Sequence, residues 1–205
     1  SLAGRVALLH LSPLSQREIV GAPCVPFTTD LERLIAEKDT ITPVTTPELF
    51  ARLWHGSMPG VISGQTPDRN IYYSSYLSSY VERDVRELSG SIDALKFNRF
   101  VTAVAARCSQ LLNYNALAED ADINIQTAKD WINILETLGI IFLLHPYSNN
   151  VLKRTIKTPK VYFYDTGLVC YLTRWSSPEV AESGAMNGAL LENFTVSEIV
   201  KGYQN

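Results

Sequence analysis

The stretch LLNYNALAEDADINIQTAKDWINILETLGIIFLL, residues 111–144, constrains the fold more than any other part of the chain. It reads as two helices at an angle followed by a strand. Asn115 is placed to cap a short helix from Ala116 to Asp120, because its side-chain oxygen can accept an orphan backbone N–H. Asp122 breaks the pattern, and Asn124 caps a longer second helix. There Ala128, Trp131, Ile132, Leu135 and Leu138 recur at helical spacing and make one apolar face. Gly139 stands where a left-handed C-terminal cap falls. The apolar run Ile140–Leu144 suits a buried strand. This is the pattern of a helix-turn-helix whose second helix feeds a β-wing.

The other face of that second helix carries Gln126, Thr127, Lys129, Asp130 and Asn133. In DNA-binding helix-turn-helix units the N-terminal residues of the second helix meet base edges. Gln126, Thr127, Lys129 and Asn133 are therefore candidate nucleic-acid contacts, whereas Asp130 would repel phosphate. A winged helix whose polar face meets solvent or another protein is the competing reading.

The preceding residues Lys96–Gln110 form a first helix with Phe97, Phe100, Val101, Val104, Ala105 and Cys108 on one face, capped by Asp93. The strand's partner is Lys160–Tyr164, reached through a turn at Pro146–Asn150. Between the arms lie Lys153, Arg154 and Lys157, with Lys160 opening the return arm, and no acidic residue occurs from Thr137 to Tyr164. Four such cations favour phosphate and make binding salt-dependent. Eight basic residues against six acidic ones make 97–174 a +2 segment of a chain whose formal net charge is −3. Charge alone gives the whole chain no general pull toward nucleic acid.

The flanks are mainly helical. Arg5–Leu11 reads as a strand, Leu14–Ile19 as a short helix capped by Ser12 or Ser15, and Leu31–Lys38 as another. Pro47 opens a helix, Gly56–Gly64 is turn-rich, and Ile71–Leu88 is a long helix. Asp165 caps a helix through Cys170 and Tyr171, Trp175–Gly184 is a loop, and Gly188–Gly202 is a final helix. The fold class is thus mainly α with a small β component (α+β): a helical lid-like region, then a winged helix-turn-helix. Three stretches follow: 1–95, 96–175 and 176–205.

Chemistry-bearing patterns are sparse. None of the glycines opens a G-x-x-x-x-G-K-[ST] phosphate loop, so the chain by itself is expected to be catalytically inactive. His10, His55 and His145 lack metal-ligand spacing. Cys24, Cys108 and Cys170 are odd in number and far apart, which fits reduced core thiols and a cytoplasmic setting. No stretch has the ~20 apolar residues of a membrane helix. Glu192 and Glu198 fall on different faces of the last helix. The chain begins inside a patterned element, which suggests a fragment of something longer.

Several blocks together resemble a known group: SLAGRV, ELFARLWHGSMPG, YLSSYVERDVREL, KTPKVYFYDTGL and GALLENFTVSEI, the last two being the most specific. The chain is similar, over nearly its whole length, to bacterial and archaeal AAA-family ATP-binding proteins with a C-terminal domain of unknown function 4143. That resemblance implies an ATPase module upstream, binding ATP and Mg, then a helical lid, a winged helix and a nuclease-like segment. It implies that this chain carries no cofactor itself and contacts DNA or a protein partner. Arg5 would match an arginine presented to a neighbour's γ-phosphate, and with it a homo-oligomer. Glu192 would match the first glutamate of the nuclease-like segment, whose remaining metal ligands are missing here. The rival readings are a winged-helix transcriptional regulator and a non-catalytic protein–protein adaptor.

Overall fold

The computed structural model describes residues 11–38, 42–66, 68–81, 83, 85, 93–147 and 158–204. The expected first strand lies largely outside them, as do Arg5, His10, Lys153, Arg154 and Lys157. Among the described residues the protein is mainly helical, with one two-stranded antiparallel sheet. No helix there is long and apolar enough to cross a membrane.

Helix α1 (Gln16–Ile19) and helix α3 (Thr46–His55) start with the same device. The hydroxyl of Ser15 or Thr45 accepts the N–H of Glu18 or Glu48, and each glutamate reaches back to the cap's own N–H. Helix α2 (Leu31–Lys38) leaves Leu31, Leu34 and Ile35 exposed. The segment expected to be a plain turn after Gly56 contains a short helix, α4 (Pro59–Ile62), with proline in its first turn.

The long helix expected over Ile71–Leu88 differs. Helix α5 (Arg69–Ser75) is capped by Asp68 and gives way to a π-helical segment, Tyr76–Val81. Within it the hydroxyls of Ser78 and Ser79 donate to the carbonyls of Ser74 and Ser75. Hydroxyls that compete for backbone acceptors loosen the regular ladder.

Helix α6 (Ala94–Ala106) starts at the expected Asp93 cap and buries Phe97, Phe100, Val101, Val104 and Ala105. Helix α7 (Tyr114–Ala121) corrects one expectation: Asn113, not Asn115, is its cap, accepting the N–H groups of Asn115 and Ala116. Asp122 ends it in the left-handed region at φ 54°. Helix α8 (Ile125–Thr137) has the expected Asn124 cap and buries Ala128, Trp131, Ile132 and Leu135, with Leu138 half-buried beyond its end. Gly139 takes φ 66°, and the chain enters strand β1 (Ile141–Leu144). Strand β2 (Lys160–Phe163) pairs antiparallel with it, Ile141 opposite Phe163 and Leu144 opposite Lys160.

Asp165 caps helix α9 (Thr166–Leu172) as expected. The expected Trp175–Gly184 loop holds helix α10 (Pro178–Ser183), where the Ser177 hydroxyl supplies the cap and Pro178 the first turn. Helix α11 (Asn187–Gln204) closes the described chain. One continuous buried cluster runs from Phe50 on α3 through α6, α8, β1, β2 and α9 to Leu190 on α11. Its centre is aromatic: Trp131 meets the rings of Phe97 and Phe100 edge-on at 5.2 Å each.

Candidate functional site

Helices α6 and α7 hold α8 so that one flank is core and the other faces out. Gln126, Lys129, Asp130 and Asn133 are all exposed there. Their chemistry is partly committed. The Gln126 amide donates to Asp130 Oδ1 at 2.9 Å. Thr127 is only half-buried, but its N–H and its hydroxyl both go to Asn124 Oδ1, so it serves the cap. Lys129 Nζ sits 5.9 Å above the Tyr114 ring. It borders an open depression of about 480 Å³ with Asn113, Tyr114, Asn115, Ile125 and Thr158.

Charge on this head is balanced in a way that its sequence hides. Lys96 Nζ pairs with Asp122 at 2.8 Å, and Arg107 with Asp120 at 2.6 Å. Lys96 also donates to the Asp122 carbonyl, which a left-handed helix end leaves open. The hydrogen bond from Lys96 and its charge hold the Asp122 carboxyl below its ordinary pKa. Residues 93–144 contain four basic and six acidic residues. The basic surplus of the wider segment therefore comes from the hairpin cations, and Lys153, Arg154 and Lys157 lie outside the described residues.

The fourth of those cations is committed. Lys160 Nζ lies 2.7 Å from Glu192 Oε1, and the Tyr162 hydroxyl donates to the same oxygen at 2.6 Å. The Lys160 hydrogen bond, then that of Tyr162, hold the Glu192 carboxyl below its ordinary pKa. Burial and the bond to Glu192 push the Tyr162 phenol upward. Lys160 is thus engaged by a carboxylate, and Glu192 by an ammonium and a phenol. One helix position on, Asn193 accepts the Phe163 N–H at 2.8 Å and donates to the Phe163 carbonyl at 3.0 Å. With the bonds between Val161 and Ser109–Gln110, the second edge of β2 is closed.

A second constellation was invisible in the sequence. Asp165, buried, uses both carboxylate oxygens. One accepts the Ser57 N–H at 2.6 Å and the Ser57 hydroxyl at 3.2 Å. The other accepts the Tyr73 hydroxyl at 2.6 Å and the Leu168 N–H at 2.8 Å. Lys201, 1% exposed, donates to the Ser57 hydroxyl, to Glu198 and to the Leu14 carbonyl. Glu198 in turn accepts the Gln16 N–H. The Arg69 guanidinium donates to the Gly167 carbonyl and lies 3.8 Å over the Trp54 ring. Burial lowers its pKa from the usual arginine value.

These groups meet because Gly56 and Gly167 allow it. A Cβ on Gly167 would stand 2.6 Å from the Gly56 Cα. Burial, reinforced by Asp165, raises the Tyr73 phenol well above its ordinary pKa. The network is paired throughout except for the Arg69 Nε, and its part is to lock α3, α5, α9 and α11 together.

Burial pushes the Cys108 and Cys170 thiols up to about 12, so both behave as small core residues. His55 and His145 are exposed. Among the described residues no three His, Cys, Asp or Glu side chains could hold a metal ion.

No solved structure matches the chain. Over 201 residues it is 27% identical to "Uncharacterized protein Rv2008c" of Mycobacterium tuberculosis and, equally, to "Uncharacterized protein Mb2031c" of Mycobacterium bovis. The match takes in 97% of this chain but 40% of each relative. Residues 46–179 match the model of the family described as "Domain of unknown function (DUF8612)", and the chain belongs to that family.

Proposed function

We infer that this chain is the lid and winged-helix part of an AAA-family ATP-binding protein, with the winged helix as its contact module for DNA. The matched family carries a different number from the domain that the sequence blocks resemble, so the AAA reading stands on those blocks. The length of the relatives supports it, because the chain spans 40% of them and leaves room for an ATPase module. The sequence has no G-x-x-x-x-G-K-[ST] loop to cradle ATP, and among the described residues no three His, Cys, Asp or Glu side chains could hold Mg. Arg5 is the residue of this chain that would reach a neighbouring subunit's nucleotide.

The observation that carries the DNA reading is the exposed row Gln126, Lys129 and Asn133 on α8, just ahead of an antiparallel pair. Amide and ammonium groups in that position suit base edges and phosphates. In the full-length protein, Lys153→Ala with Arg154→Ala then lowers affinity for mixed-sequence duplex and flattens the log–log salt slope by about 2. An unchanged slope removes the hairpin from the reading. The ATPase part fails if the intact gene encodes no phosphate loop upstream of Ser1.

One observation favours a protein partner instead. The described head has more acids than bases, and two of its bases are paired within it. An adaptor of that kind shows no duplex retention even at about 50 mM salt.

A further inference from the structure

The carboxyl end of α9 stops in an unusual way. The Trp175 N–H bonds back to the Cys170 carbonyl and the Arg174 N–H to the Tyr171 carbonyl. This is the Schellman pattern, whose central residue adopts left-handed backbone and is usually glycine. Here that residue is Arg174, at φ 61°. An arginine there is strained where glycine would not be, so its side chain is the reason to look further.

Arg174 lines a cavity of about 360 Å³ between α9, α6 and the π-helical segment. Its floor is apolar, formed by the buried Leu77 and Leu172 with the half-buried Tyr171. Its rim is polar and exposed: Ser74, Ser78, Asn98 and Thr102. Among the described residues lining it, Arg174 is the one that carries a charge. The π-helical turn widens the helix at this wall, and such turns recur at functional sites.

We propose that this cavity binds a small organic phosphomonoester. Arg174 grips the phosphate as a planar fork, the hydroxyls of Ser74 and Thr102 support it, and the organic group lies on the leucine floor. The volume exceeds what a bare phosphate ion fills and falls in the range of small-ligand pockets. The site is separate from the exposed row of α8 and does not depend on DNA contact.

The test is calorimetric titration of the 205-residue chain with phenyl phosphate, inorganic phosphate and a short duplex, each against wild type and Arg174→Gly. Glycine relieves the left-handed strain, so this variant melts about 3 °C higher if Arg174 has no structural part. Phenyl phosphate binds wild type saturably and about tenfold tighter than inorganic phosphate, through the apolar floor. Arg174→Gly weakens it at least about tenfold, and Thr102→Val weakens it less. Absence of saturable phenyl phosphate binding, or equal binding by Arg174→Gly, overturns the proposal. Equal affinity for the two phosphates refutes the organic part. Loss of duplex affinity in Arg174→Gly, with no phenyl phosphate binding, gives the cavity to a nucleic-acid phosphate and equally overturns it.

Discussion

Lys160 on β2 and Glu192 on α11 are joined at 2.7 Å, with the Tyr162 hydroxyl bonded to the same carboxylate oxygen. The contact anchors the returning arm of the sheet to the final helix and removes a cation from the hairpin. Its stability contribution has a definite pH sign. Glu192 has a lowered folded pKa, so its contribution is complete above the ordinary carboxylate pKa and is lost as pH falls through the folded value. Both side chains are 41% exposed, and solvent screening keeps the contribution under about 1 kcal/mol. Glu192→Gln therefore lowers Tm slightly at neutral pH, and the difference shrinks as pH falls from neutral to below the ordinary carboxylate range. A melting difference that stays constant over that range rules out the ion pair as its cause.

Asp165 is a larger lever, because both of its oxygens accept two bonds each from donors inside the core. Asp165→Asn turns an amide N–H₂ toward either Ser57 or Tyr73 and opposes donor to donor. It also leaves Arg69 less compensated. The expected loss in urea unfolding is about 3 kcal/mol. Tyr73→Phe removes one bond of the four and costs about 1.5 kcal/mol. If the two variants lose the same amount, the carboxylate is not the hub of this network.

The caps of α7 give a test with opposite outcomes at neighbouring residues. Asn113→Ala costs about 1 kcal/mol, whereas Asn115→Ala stays within about 0.5 kcal/mol, as an exposed site in the first turn. Chemical denaturation of the two variants side by side decides it. A larger loss at Asn115 would mean that α7 starts two residues later.

That pair also marks where the sequence stops being informative. Both asparagines can cap, and local spacing does not choose between them. The choice is made by Leu112, whose N–H bonds to the Pro159 carbonyl and sets the backbone just before Asn113. The α8 face, the Asn124 cap, Gly139 and the pairing of the two strands were legible because each rests on local periodicity or a local cap. Lys201 was not. It looks like a solvated lysine near the end of an amphipathic helix, yet its partners Leu14 and Ser57 lie 187 and 144 positions away. The pairing of Lys160 was hidden for the same reason: its carboxylate, Glu192, comes from α11, beyond an acid-free stretch.

Asn193 offers the cleanest probe of how the sheet is held. It is fully buried and spends its amide on the N–H and the carbonyl of Phe163, as a missing strand would. Asn193→Ala leaves both backbone groups unpaired in the core, at about 1–3 kcal/mol. Asn193→Asp keeps an acceptor for the N–H but sets a carboxylate against the Phe163 carbonyl, so it destabilises as well, and less so at low pH where the acid is protonated and can donate. Amide hydrogen exchange at Phe163 reads this directly: protection falls in Asn193→Ala beyond the fall at Phe142 on the other strand. Equal loss at both sites would mean that the variant loosens the whole molecule and that the side chain does not specifically close the edge of β2.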